Sequence, residues 1–160
     1  MASDNATEAD ESVDVITDAL LTASRSLMAI SARSIQEIDD TITIAQFRTL
    51  VILSNRGAIN LATLAGLLGV QPSATGRMVD RLVAAGLIDR FPHPTSRREL
   101  LAALTNRGRE VVRRVTAHRR AEIAQIVEKM PPPERHGLVR ALTAFTDAGG
   151  EPDVQLDTDF

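Results

Sequence analysis

The sequence predicts a mainly α-helical chain carrying one small β-hairpin, on three observations. Apolar residues recur at helical spacing along much of its 160 residues, first at Val13, Ile16, Leu20, Leu27 and Ile30. Capping residues precede the helical patterns (Thr43, Asn60, Thr105), and glycines close them (Gly57, Gly69, Gly86). Two short apolar stretches, 87–91 and 100–104, flank a turn read over Pro92-His93-Pro94-Thr95-Ser96-Arg97-Arg98.

Taken in order, residues 1–11 are small and acidic with no apolar period, and are expected to lack structure. A first helix runs from Ser12 to about Glu37, long for the outer layer of a monomer and so suggestive of a partner surface. Thr43 opens a second helix with Gln46 three residues on, the spacing of a capping box; Phe47, Leu50, Val51 and Leu53 form its apolar face. Ala58 and Ile59 are expected to add a very short strand. A two-turn helix spans 61–68, stopped by Gly69, and a three-residue turn leads to Pro72.

The next helix has two faces. Thr75, Met78, Val79 and Leu82 share the inward one, and Ser73, Gly76, Arg77, Asp80 and Arg81 the outward one. Helix, turn, helix, strand, basic loop and strand is the order of a winged helix-turn-helix. A long helix after Thr105 is broken by Pro131-Pro132-Pro133, and a last one carries Leu138, Leu142 and Phe145. The expected organisation is an acidic tail at 1–11, an N-terminal helix at 12–42, the winged unit at 43–105, C-terminal helices at 106–148 and an acidic tail at 149–160.

Composition narrows the chemistry. Without cysteine there are no disulfides, thiolate metal sites or thiol redox sensing. The absence of an uninterrupted apolar run near 20 residues argues against a membrane partner, and the acidic N-terminus does not resemble a signal sequence; a cytoplasmic protein is expected. The net charge of −3 hides a segregation: all 18 bases lie between Arg25 and Arg140, where ten acids leave a net +8, and 17 of the bases are arginine. Such a middle suits phosphate recognition, although arginine usage also follows genomic base composition.

The ordered set of motifs resembles the MarR family of bacterial transcriptional regulators. It is carried by Thr43-Ile44-Ala45-Gln46-Phe47, Leu61-Ala62-Thr63-Leu64-Ala65, Arg77-Met78-Val79-Asp80-Arg81-Leu82, Gly86-Leu87-Ile88-Asp89-Arg90, Arg97-Arg98 and Leu104-Thr105-Asn106-Arg107-Gly108. The resemblance implies a homodimer formed through the first and last helices, with a recognition helix in the major groove and a wing at the minor groove of a pseudo-palindromic operator in duplex DNA. It further implies repression of the chain's own or neighbouring genes, and release by a small anionic or apolar effector. Two positions depart from the family pattern: Ser96 stands where an aspartate commonly precedes the wing arginines, and Gly76 where serine or threonine precedes the recognition-helix arginine.

Candidate DNA-binding residues are therefore Gln71, Ser73, Gly76, Arg77 and Arg81 on the helix, and Thr95, Ser96, Arg97 and Arg98 on the wing. Arg77 suits a bidentate contact to guanine O6 and N7; otherwise it pairs with Asp80 three residues on. Gln71 and Ser73 serve phosphate or base contact, helix capping, or both. Arg81 is expected on a phosphate or in an internal ion pair. Arg97 is the expected minor-groove residue, with a solubilising hairpin tip as the competing account. Arg25, Arg48 and His118 are candidate effector residues, as are Arg113 and Arg114; His118 equally fits a hydrogen-bonded helix position, and His93 a shape role in the turn. With four Phe and no Trp or Tyr, an effector pocket is expected to be aliphatic.

No G-x-S-x-G, H-E-x-x-H, phosphate-binding loop or dinucleotide fingerprint occurs, and His93, His118 and His136 lack ligand spacing. Neither an enzyme nor a cofactor is expected. The alternative class is a winged-helix protein–protein module that places its basic face on an acidic partner.

Overall fold

The computed structural model describes residues 12–151. The two acidic tails expected at 1–11 and 149–160 lie outside those residues, except for 149–151, which are described. Seven helices and three strands follow one another: α1 (Val13–Ile38), α2 (Ile44–Arg56), β1 (Ile59–Asn60), α3 (Leu61–Leu68), α4 (Pro72–Ala84), β2 (Ile88–His93), β3 (Ser96–Leu104), α5 (Asn106–Lys129), α6 (Pro132–Arg135) and α7 (Leu138–Gly149).

Local chemistry accounts for the boundaries. The Ser12 hydroxyl accepts from the Val15 N–H to start α1. At α2 the capping box is complete: Thr43 Oγ1 accepts from the Gln46 N–H (3.1 Å), and Gln46 Oε1 accepts from the Thr43 N–H (2.9 Å). Asn60 Oδ1 caps α3 through the Thr63 N–H, and Gly69, at φ 67°, ends it in the left-handed conformation.

The sheet has the order β1-β3-β2, all antiparallel. β3 is central, so β2 is an edge. Above it sits a core built from α2 (Phe47, Leu50, Leu53), α3 (Leu64), α4 (Val79, Leu82) and the strands (Ile88, Ala102, Leu104). The C-terminal third of α1 (Ile35) and the start of α5 (Val111, Val112, Val115) close it. Among the described residues none beyond Val115 is buried, and none on α1 before Ile30. The arms instead leave apolar side chains uncovered: Ile16, Leu27 and Met28 on α1, Ile126 on α5, Val139, Leu142 and Phe145 on α7.

Four sequence expectations need correction. The wing turn is not 92–98: β2 runs to His93 and β3 begins at Ser96, leaving only Pro94 and Thr95 at the tip. Pro92 is accommodated because β2 is an edge strand with a register irregularity at Pro92/His93, where its missing N–H costs no ladder bond. The short strand is Ile59–Asn60 rather than 58–59. The proline run not only breaks α5 but starts α6, since proline is tolerated in a first helical turn. Finally, α1 is long and apolar enough to cross a membrane by length and composition. Its apolar character comes from the uncovered residues along the helix and from alanines, and Asp18 and Arg25 interrupt any continuous run.

Candidate nucleic-acid interface

The candidate interface consists of the outer face of α4 and the β2–β3 wing, and the inner face of α4 fixes how both are held. Thr75 and Val79 are fully buried, and Leu82 nearly so. Met78 is half-buried, its sulfur accepting a hydrogen bond from Thr49 Oγ1 on α2 (2.9 Å). With that face inward, Ser73, Arg77, Asp80 and Arg81 are exposed, as the helical period requires.

At the entrance, Gln71 is the N-cap residue but its side chain makes no capping bond, and Pro72 occupies the first turn. Side-chain capping by Gln71 is thus not what its position provides. The Ser73 hydroxyl has no hydrogen-bond partner among the described residues. Asp80 does not pair with Arg77. Its carboxylate accepts from Arg90 Nη1 on β2 instead, which leaves Arg77 and Arg81 without an ion-pair partner among the described residues. The expected internal ion pair of Arg81 is therefore absent there too. A methyl group on Gly76 would meet nothing within 4 Å.

The exit of α4 is locked to α5. Gly86 turns the chain at φ 74°. Thr105 Oγ1 donates to the Gly86 carbonyl (2.7 Å), the Thr105 N–H donates to the Leu87 carbonyl (3.1 Å), and the Gly108 N–H donates back to Thr105 Oγ1 (3.0 Å). A Cβ on Gly108 would lie 2.2 Å from the Leu87 oxygen, so only glycine permits this approach.

In the wing, His93 Nδ1 accepts from the Thr95 N–H (3.2 Å) and lies 3.1 Å from Thr95 Oγ1, which is the shape role expected of His93. Thr95 is thereby engaged with His93, and the hydroxyl of Ser96, half-buried opposite His93, makes no hydrogen bond to the arginines. Neither hydroxyl replaces the missing aspartate. Arg97 and Arg98 are exposed and occupy β3 itself, pointing to opposite sides. Arg98 borders a shallow groove with Asn60, Leu61 and Ala62, where Asn60 Nδ2 donates to Glu99 Oε1 (2.6 Å).

The candidate effector residues do not come together in one chain. Arg25 is exposed on α1. Arg48 pairs with Glu151 (2.9 Å) beside Ile52, Gly66, Leu67 and the Gly149–Gly150 turn. His118 follows the simpler account: its Nδ1 lies 2.9 Å from Ser34 Oγ and 3.4 Å from Glu122, which also receives Arg33 (2.7 Å). Arg113 is engaged by Glu110, whose carboxyl its hydrogen bonds hold below the usual carboxylate range. Burial lowers the pKa of Arg119, whose Nε has no hydrogen-bond partner among the described residues.

Sequence reasoning missed Arg90, Arg119 and the Thr105–Gly108 lock as a unit. The signal for Arg90 was present: it follows the core residue Ile88 by two, which puts both on one face of a strand.

Comparison with known proteins agrees with this geometry. The MarR family profile matches residues 42–100. An uncharacterized HTH-type transcriptional regulator, ML2140 of Mycobacterium leprae, is 33% identical over 89 residues, which are 56% of this chain and 60% of that protein. The chain thus spans about three fifths of the length of that relative. The HTH-type transcriptional repressor Rv2887 of Mycobacterium tuberculosis is 32% identical over 101 residues, covering 63% of this chain and 73% of the repressor. Among solved structures, RV1404 from Mycobacterium tuberculosis superposes with a TM-score of 0.84 at 81% identity, over 92% of this chain and 100% of that one. A mutant of Escherichia coli MarR complexed with operator DNA shares the fold at a TM-score of 0.65 and 24% identity, over 81% and 92% of the two chains. From the ordered motifs, the winged helix and these relatives together, the chain belongs to the MarR family of transcriptional regulators.

Proposed function

We propose that this protein binds duplex DNA as a homodimer at a pseudo-palindromic operator and represses transcription of its own or neighbouring genes. One observation carries the reading. The outer face of α4 presents Arg77 and Arg81 with no ion-pair partner among the described residues, because the one acid on that face is taken by Arg90. Guanidinium groups left uncovered on the helix that follows a helix-turn can fork onto guanine or phosphate. Gln71 and Ser73, with no side-chain partner among the described residues, and Gly76, with open space above it, complete the base-facing surface. Thr95, Ser96, Arg97 and Arg98 form the wing, with Arg97 assigned to the minor groove.

The homodimer is supported by the uncovered apolar residues of α1, α5 and α7. In it, two recognition helices would sit about 34–36 Å apart, one turn of DNA. The solved complex of a same-fold protein with operator DNA supports DNA binding, and the repressor name of a relative supports the direction of regulation. A small anionic or apolar effector is assigned to the region between the winged unit and the arms, with Arg25, Arg48 and His118 as its candidate residues.

Footprinting on the DNA upstream of the protein's own gene, at near-physiological salt and beside Arg97→Ala, tests the proposal. A roughly symmetric protected site that weakens in the variant is the expected result. Diffuse, salt-sensitive binding without a preferred sequence, there and in a genome-wide selection, would overturn it.

A further inference from the structure

We propose that Arg90 is a positioning residue of the interface: through Asp80 it struts the recognition helix α4 against the wing and fixes the angle at which the two reach DNA. The inference rests on the DNA-binding reading above.

Three observations carry it. Arg90 lies on the same strand face as the buried Ile88 and is paired in register with Ala102, which is fully buried and small. Its guanidinium therefore leaves from the edge of the core toward α4 rather than from the solvent side of the hairpin. Asp80 stands one turn after Arg77 on the outer face of α4. Their ion pair is, among the described residues, the sole ion pair joining α4 to the wing.

The chain itself joins helix and wing at a single turn, residues 85–87, where Gly86 has φ 74°. On the buried side Val79 and Leu82 of α4 pack with Ile88 and Ala102 of the strands; the Asp80–Arg90 pair adds a tie on the exposed side, away from that turn. The pair is half-exposed, with side-chain exposures of 34% and 57%, so its effect on global stability is small. Its role is geometric.

A second consequence makes the sign of the test decisive. Asp80 places a carboxylate on the face assigned to DNA. Charge and helix propensity alone predict that Asp80→Ala tightens DNA binding, since an anion is removed and alanine is the best helix former. The strut predicts the opposite.

The experiment measures binding of the full chain to a duplex selected from a random pool by the wild-type protein, and to a scrambled duplex. It compares Asp80→Ala, Arg90→Gln, the exchange Asp80→Arg with Arg90→Asp, and each of the first two combined with Arg97→Ala. Both single variants are expected to lose about five- to tenfold on the selected duplex, with little change in melting temperature or on the scrambled one. The cost of Arg97→Ala should shrink in either background, because a wing of unfixed angle contributes less. The exchange should restore part of the loss; if it does not fold, the sign of Asp80→Ala still decides.

Asp80→Ala binding as tightly as wild type or tighter would overturn the strut. So would an Arg97→Ala cost unchanged between backgrounds, or an Arg90→Gln loss equal on both duplexes, the mark of a direct phosphate contact. A wild-type protein that selects no sequence would overturn the DNA-binding reading itself, a failure distinct from these.

Discussion

The winged unit and the arms are built from similar apolar residues, yet they use them in opposite ways. In the winged unit Leu50, Leu64, Val79, Leu82 and Leu87 are all at or below 1% exposure. On α7, Leu142 is 46% and Phe145 56% exposed, and no residue of that helix is buried. The first region has a core completed within one chain, closed by Ile35 of α1 and Val111, Val112 and Val115 of α5. The second has the pattern of a core and lacks the other half, which is why a second copy of the chain enters the proposed function. Helical periodicity reports that a face is apolar; it does not report what covers it.

The largest effect that separates the two regions should come from Leu82→Ala. It deletes a fully packed side chain and is expected to cost about 2–5 kcal/mol, read as a fall in melting temperature. Leu142→Ala in dilute protein should cost under about 1 kcal/mol, while lowering the mass measured at higher concentration toward that of one chain. Equal losses for the two variants in dilute solution would erase the contrast.

Gly108→Ala sharpens the comparison at the seam. The added methyl collides with the Leu87 carbonyl, so a loss of about 1–3 kcal/mol is expected by denaturant unfolding. A neutral result would mean that α5 does not approach the exit of α4 as closely as described. The smallest effect has the opposite sign. Gly76→Ala meets open space and removes a flexible residue from a helix, and is expected to stabilise the chain by about 1 kcal/mol. If that variant also weakens binding to the selected duplex, DNA approaches the backbone at that point; unchanged binding would place Gly76 clear of it.

Much of the fold could be read before the structure because its boundaries are set locally. Thr43 with Gln46, Asn60 with Gly69, and Thr105 each satisfy backbone groups within a few residues, and all three helices begin where these residues stand. The wing was harder. A stretch with Pro92 and Pro94 reads as a loop unless one knows that the strand carrying Pro92 is at a sheet edge, which depends on β3 pairing with β2 on one side and with Ile59–Asn60 on the other. The outer face of α4 was legible as a face, but the partner of Asp80 was not. Sequence spacing favoured Arg77 three residues before it, while the fold delivered Arg90 from the adjacent strand. Effector candidates chosen by charge alone sit in separate surroundings: Arg48 pairs with Glu151, His118 bonds Ser34 of α1, and Arg25 of that helix is exposed.

The lock formed by Thr105, Gly86, Leu87 and Gly108 turns α5 into a lever arm. Its 24 residues extend about 36 Å from a fulcrum at the exit of α4 to the proline break. An arm of that length, tied to the exit of α4 by two hydrogen bonds and a glycine-sized gap and packed into the core through Val111, Val112 and Val115, converts sideways travel at its far end into a small rotation at the near end. Displacing the tip by one helical turn, about 5.4 Å, swings the arm by under ten degrees. In the proposed homodimer, whatever grips the tips of the two arms would thereby also set the spacing of the two α4 helices, with no contact to either.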